Sequence, residues 1–224
     1  MPPPRACLRE PVDGIAQAAA LLDQGITAHL LGRTAEAAHL IQRADMPAVR
    51  EWVESILGKN SPYAVPLPAG EPSLPLAQRV PVRMPSAEER RQLHARDGYH
   101  CRFCGVPVIR PEVRERIRRA YPQALPWGKR NQQRHAAFFA LWAQYDHLLP
   151  HAKGGTNELT NLVVTCAACN YGRGGYTLAE MGLCNPLLRP PIRTQWDGLE
   201  RFRPSDRIHS QHRHRVCPAS AGSY

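Results

Sequence analysis

The sequence predicts an α+β protein in which a small all-α N-terminal module precedes a mixed region of short strands and inserted helices. Three observations predict it. Apolar residues keep helical spacing through residues 12–58. Prolines then crowd 61–85, where neither a helix nor a central strand can run. Beyond 86 the pattern shifts to short β-like runs punctuated by two Cys-x-x-Cys pairs, with helical spacing between them. This divides the chain into 1–60 as a helical module, 61–85 as a semi-rigid spacer, 86–202 as a mixed domain with a helical insertion at 110–144, and 203–224 as a basic disordered tail poor in apolar residues.

Each element has a local cause. Ile15, Ala18, Ala19 and Leu22 mark one helical face, and Ala37, Leu40, Ile41 and Ala44 a second, opened at Thr34. Pro47 suits a first helical turn, and the helix it starts carries Val49, Trp52, Val53 and Ile56 before Gly58 ends it. Ser86-Ala-Glu-Glu89 reads as a capping box for a helix that Asp97-Gly98 stops. A short strand and knuckle follow at 99–106, then a basic helix from Pro111 to about Tyr121. A second inserted helix carries Ala136, Phe139, Ala140 and Ala143. Tyr145–Leu149 and Leu162–Thr165 read as strands around a loop at 150–160. Cys166–Gly174 reads as a knuckle entering a helix, and Thr177–Gly182 as another short helix.

Composition narrows the class. No stretch approaches the roughly 18 apolar residues that span a bilayer, so no membrane partner is expected. The first residues lack the pattern of a secretory signal, which makes a cytoplasmic, reducing compartment the expectation. The formal net charge is +10. A basic chain gains affinity for a polyanion by releasing condensed counterions. The arginines gather between 110 and 134, with Arg114 and Arg118 central among them.

The seven cysteines are an odd number, which excludes complete internal pairing. Cys101, Cys104, Cys166 and Cys169 form two knuckles, whose four thiolates suit one tetrahedral Zn²⁺ that is closed to water and structural. A redox dithiol would need one pair in a thioredoxin-like setting, which is absent. Cys7, Cys184 and Cys217 read as incidental thiols.

Asp146-His147, Gly154-Gly155, Asn161-Leu162 and Cys166-Ala-Ala-Cys-Asn170 follow one another in order, with Arg96-Asp-Gly98 before the first knuckle and Gly172-Arg173 after the second. This series resembles the HNH endonuclease motif over about 80 residues and says nothing of 1–85. The resemblance implies a ββα-metal nuclease core. It makes Asp146 and Asn170 ligands of a catalytic divalent ion, His147 the general base, and Asn161 the brace of the intervening loop. Arg173 stands where the family often has lysine, and a guanidinium there could clamp a phosphate. Lys153, Arg114 and Arg118 are the other candidate nucleic-acid contacts. The insertion between Cys104 and Asp146 departs from compact family members, and its helices are expected to turn apolar faces inward and arginines outward.

The chemistry suits those residue types. Histidine titrates near working pH and so serves as a base. A carboxylate and an amide oxygen are hard donors that favour Mg²⁺ or Mn²⁺ and leave positions open for water and phosphate. The leading expectation is a divalent-metal-dependent endonuclease hydrolysing phosphodiester bonds in DNA, with duplex as the expected form. A bacterial defence, toxin or mobile-element setting and a protein partner for the N-terminal helices are both compatible with it. The alternative is a non-catalytic zinc-knuckle protein that binds nucleic acid. Base specificity and oligomeric state are not written in these residues.

Overall fold

The computed structural model describes residues 4–58, 60–66, 72–81 and 84–204. The expected tail lies outside them except for 203 and 204, as does Cys217. Helices α1 (Asp13–Leu30), α2 (Thr34–Arg43) and α3 (Pro47–Leu57) form the N-terminal part. Then come α4 (Ala87–Asp97), α5 (Pro111–Ala120), α6 (Ala136–Ala140), β1 (Ala143–His147), β2 (Leu162–Cys166) and α7 (Ala167–Arg173). No helix among the described residues is long and apolar enough to cross a membrane.

The N-terminal helices bury the predicted faces. Ile15, Ala18, Leu22, Ala37, Ile41, Val49, Trp52, Val53 and Ile56 are all nearly inaccessible to solvent. Helix α3 packs on α6 and α7, so this apolar surface joins one core with Phe138, Leu125, Val163 and Val164. Gly172 marks the closest approach, because a Cβ there would press on Leu8 and Ile56 side chains. Close helix packing at that point requires the smallest residue.

Strands β1 and β2 pair antiparallel, with Asp146 opposite Val163 and His147 opposite Leu162. Helix α7 follows β2 directly and packs on both strands. Helix α4 is tied to β2 through Asp97, whose Oδ2 accepts the Val164 N–H at 2.9 Å while Arg96 Nε donates to Oδ1 at 2.7 Å. Ser86 and Glu89 form the reciprocal capping box that opens α4. Gly98 ends α4 at φ 73°, in the left-handed region that favours glycine.

Several expectations are corrected. The second inserted helix is only Ala136–Ala140, and Ala143 belongs to β1. Ile109 N–H donates to Leu141 O at 2.6 Å and Ile109 O accepts the Ala143 N–H at 2.9 Å, which pulls the chain out of the helix. Strand β1 ends at His147, two residues earlier than expected. The segment Thr177–Gly182 has the reciprocal Thr177–Glu180 hydrogen bonds of a capping box but forms turns, not a helix. In the proline-rich stretch, residues 72–81 do not stand off as a spacer. Leu74 N donates to Ala152 O at 2.7 Å, and Val80 O meets a ring nitrogen of His151 at 2.7 Å.

Candidate active site and cysteine cluster

Cys101 and Cys104 come from the turn after α4, and Cys166 and Cys169 from the junction of β2 with α7. Their Sγ atoms all lie within 4.8 Å of one another. Thiolates about 2.3 Å from one tetrahedral ion stand about 3.8 Å apart, and Cys104 and Cys166 are 3.7 Å apart. The first knuckle is closed by Cys101 N–H to Val106 O and Gly105 N–H to Cys101 O, with Gly105 at φ 78°. Burial raises the Cys101 thiol, yet hydrogen bonds from Cys104, Cys166 and Cys169 overcome this and hold it well below its ordinary value. Burial foremost for Cys104, and hydrogen bonds from the neighbouring sulfurs foremost for Cys169, push these two well above theirs. Four sulfurs gathered this closely could hold zinc. Cys7 and Cys184 stand outside it.

The second site is a cavity of about 680 Å³ whose lining includes Gln144, Asp146, His147, His151, Asn170 and Arg173. Successive residues of a regular strand face opposite sides. Asp146 and His147 nevertheless line one cavity, because His147 is the last residue of β1 and the chain turns away toward Pro150. Asn170 reaches the same cavity from α7. A His147 ring nitrogen, Nε2, lies 2.8 Å from Asn157 Oδ1, and the His147 and His151 ring centroids are 6.1 Å apart. Asn157 is a polar neighbour that sequence reasoning missed. It sits in a loop whose residues carry no periodic signal.

Asn161 spans that loop. Its Oδ1 accepts Leu149 N–H at 2.8 Å, and its Nδ2 donates to Leu149 O and Thr156 O at 3.2 and 2.9 Å. The paired glycines have a steric cause. Gly154 sits at φ 93° with Leu74 close by, and a Cβ on Gly155 would collide with the Leu149 carbonyl.

Arg173 does not stand free for a phosphate, as its sequence position had suggested. Its side chain is 1% exposed and makes a two-pronged pair with Asp146, Nε donating to Oδ2 at 2.8 Å and Nη2 to Oδ1. Nη1 and Nη2 also donate to the carbonyls of Tyr176 and His147. Burial pushes the Asp146 carboxyl above its usual value, and Arg173 opposes that shift. A carboxylate offers about four lone-pair directions. Arg173 takes one on each oxygen, so Asp146 retains donor capacity in the cavity that Asn170 also lines. A carboxylate and an amide oxygen are hard donors that could hold a divalent ion, with the adjacent guanidinium weakening its hold.

The other expected nucleic-acid contacts are also engaged internally. Lys153 Nζ lies 2.6 Å from Glu180 Oε2, its side chain 5% exposed. Arg114 is half-buried over Trp127, 3.8 Å from the ring centroid, and 5.0 Å from that of Trp142, so it does not point outward. Arg118 pairs with Glu115 on the same helix at 2.8 Å. Lys153 and Arg173 are drawn inward because each meets a buried carboxylate, which a basic residue alone in sequence cannot reveal.

A two-stranded antiparallel sheet continued by a helix carries both a cysteine cluster that could hold a metal and a cavity lined by Asp146 and His147. The HNH endonuclease family model matches residues 142–182. That match spans β1, the braced loop, β2 and α7, so this segment is similar to HNH endonucleases. Comparison with curated proteins and with solved structures gives no significant match.

Proposed function

We propose that this chain is a divalent-metal-dependent endonuclease that hydrolyses phosphodiester bonds in DNA, built on a ββα-metal core with a structural zinc on Cys101, Cys104, Cys166 and Cys169. The observation that carries this reading is the convergence of Asp146, His147 and Asn170 on one cavity at the end of β1. His147 is the general base. Its ring is oriented by the contact of Nε2 with Asn157 Oδ1 at 2.8 Å, and a neutral imidazole so held suits proton transfer from the attacking water. Asp146 and Asn170 would hold Mg²⁺ or Mn²⁺. Such an ion, when bound, supplies charge stabilisation to the pentavalent phosphate and polarises the leaving oxygen. Asn161 fixes the loop that carries Asn157, and so fixes the base indirectly.

The test is incubation of supercoiled plasmid with purified protein and Mg²⁺ or Mn²⁺, beside the same reaction in EDTA and the His147→Ala variant. Cleavage that needs both the metal and His147 is expected. A protein that shifts the plasmid on a gel but cuts with neither metal would instead be the non-catalytic zinc-knuckle binder.

A further inference from the structure

The charged residues lining the cavity are Arg79, Asp146 and Arg173. Arg173 and Asp146 neutralise each other in their buried pair. Arg79 is different. Its Nε donates to the Leu74 carbonyl at 2.8 Å, and no carboxylate pairs with it among the described residues. Of these three, one positive charge is left in excess, carried by a half-buried guanidinium at the wall.

The segment bearing Arg79 is fastened to the catalytic loop. Leu74 N–H donates to Ala152 O, Val80 O meets the His151 ring, and Met84 O accepts from Asn157 Nδ2 at 3.3 Å. These bonds lie on either side of Arg79 and link it to the residue that touches His147. The Nε contact to Leu74 fixes the plane of the guanidinium, and among the described residues its two terminal nitrogens take no partner, which leaves them for a ligand. A planar fork beside a hydrolytic cavity suits two oxygens of a phosphodiester.

We propose that Arg79 is a phosphate-binding residue of the cleavage site, holding the phosphodiester that His147 faces. It takes the place that sequence position had suggested for Arg173. This rests on the nuclease reading for its substrate, yet binding can be measured apart from cleavage.

The experiment uses the full chain carrying His147→Ala, zinc-loaded, without Mg²⁺ or Mn²⁺, with a fluorescein-labelled 20-mer DNA duplex read by anisotropy across a salt series. Adding Arg79→Gln should weaken binding about tenfold. It should also lower the slope of log affinity against log salt by about 0.9, one phosphate contact. Arg79→Lys should restore the slope but only part of the affinity, since an ammonium keeps the charge and loses the fork. Zinc content and thermal midpoint, measured in parallel, should not move. Equal affinity and equal slope in all three proteins would overturn the proposal. If the chain with His147 intact cuts plasmid but Arg79→Gln binds and cuts unchanged, the subsite fails and the nuclease reading stands. If nothing is cut under any metal but Arg79→Gln still lowers affinity and slope, the subsite stands and the nuclease reading fails.

Discussion

Arg173 Nε donates to Asp146 Oδ2 at 2.8 Å, and the pair joins the last turn of α7 to the end of β1 inside the protein. Breaking one side of a buried pair leaves an uncompensated charge, at a cost of about 3–5 kcal/mol. Arg173→Ala should therefore lower the urea midpoint sharply. Arg173→Lys should fall between it and the parent, because one ammonium cannot satisfy both carboxylate oxygens. Urea unfolding of the two variants checks this. A midpoint for Arg173→Ala equal to the parent's would mean the pair does not hold α7 to the sheet.

The contact between His147 Nε2 and Asn157 Oδ1 yields a kinetic prediction. Asn157→Ala should lower kcat on plasmid by about tenfold, the scale of a misoriented base, with KM little changed. Asn157→Asp puts a carboxylate beside the ring, which favours the protonated imidazole. A general base works only when neutral, so the acid limb of the pH–rate profile should move to higher pH in Asn157→Asp. A shift to lower pH would show that Asn157 does not touch the base.

The sequence carries the parts of this fold that depend on periodicity or on a fixed spacing. The faces of α1, α2 and α3 follow from apolar recurrence, and the start of α4 follows from Ser86 and Glu89. The cysteine cluster follows from two spacings, and the likeness of 142–182 to HNH endonucleases from an ordered series of short signals. What the sequence hides is pairing at a distance. Asp146 and Arg173 lie 27 positions apart, as do Lys153 and Glu180. The docking of 72–81 and of Met84 is hidden for another reason. It runs through the amide of Leu74 and the carbonyls of Val80 and Met84, and backbone groups are the same in every residue. Proline content marked where regular structure stops but could not say what the irregular chain would touch.

The cysteine cluster separates two kinds of failure. A closed four-thiolate ion contributes its binding energy to folding. Cys166 also caps α7 by accepting Cys169 N–H, and it ends β2, so its loss strikes sheet and helix together. Cys166→Ser should lose bound zinc, measured by elemental analysis, and with it the cooperative thermal transition. His147→Ala should keep one zinc per chain and a full transition while losing cleavage. Zinc content near one in a well-folded Cys166→Ser would exclude the four-sulfur site.

Lys153 and Glu180 set the acid stability of the loop that Asn161 braces. The hydrogen bond from Lys153, with that from Thr177 N–H, holds the Glu180 carboxyl down to about 2 from its ordinary 4.5. A carboxyl whose folded value is depressed stabilises the fold above its unfolded value and loses that contribution as pH falls toward the folded one. The Glu180 contribution should thus be complete above about pH 5 and fade between there and pH 2. Glu180→Gln should lower the denaturant midpoint at pH 7, and the gap from the parent should close through that window. Guanidinium melts at pH 7, 5, 4 and 3 check the sign. A gap that widened on acidification would mean the carboxyl is held in its neutral form, and that Lys153 is free to reach a phosphate after all.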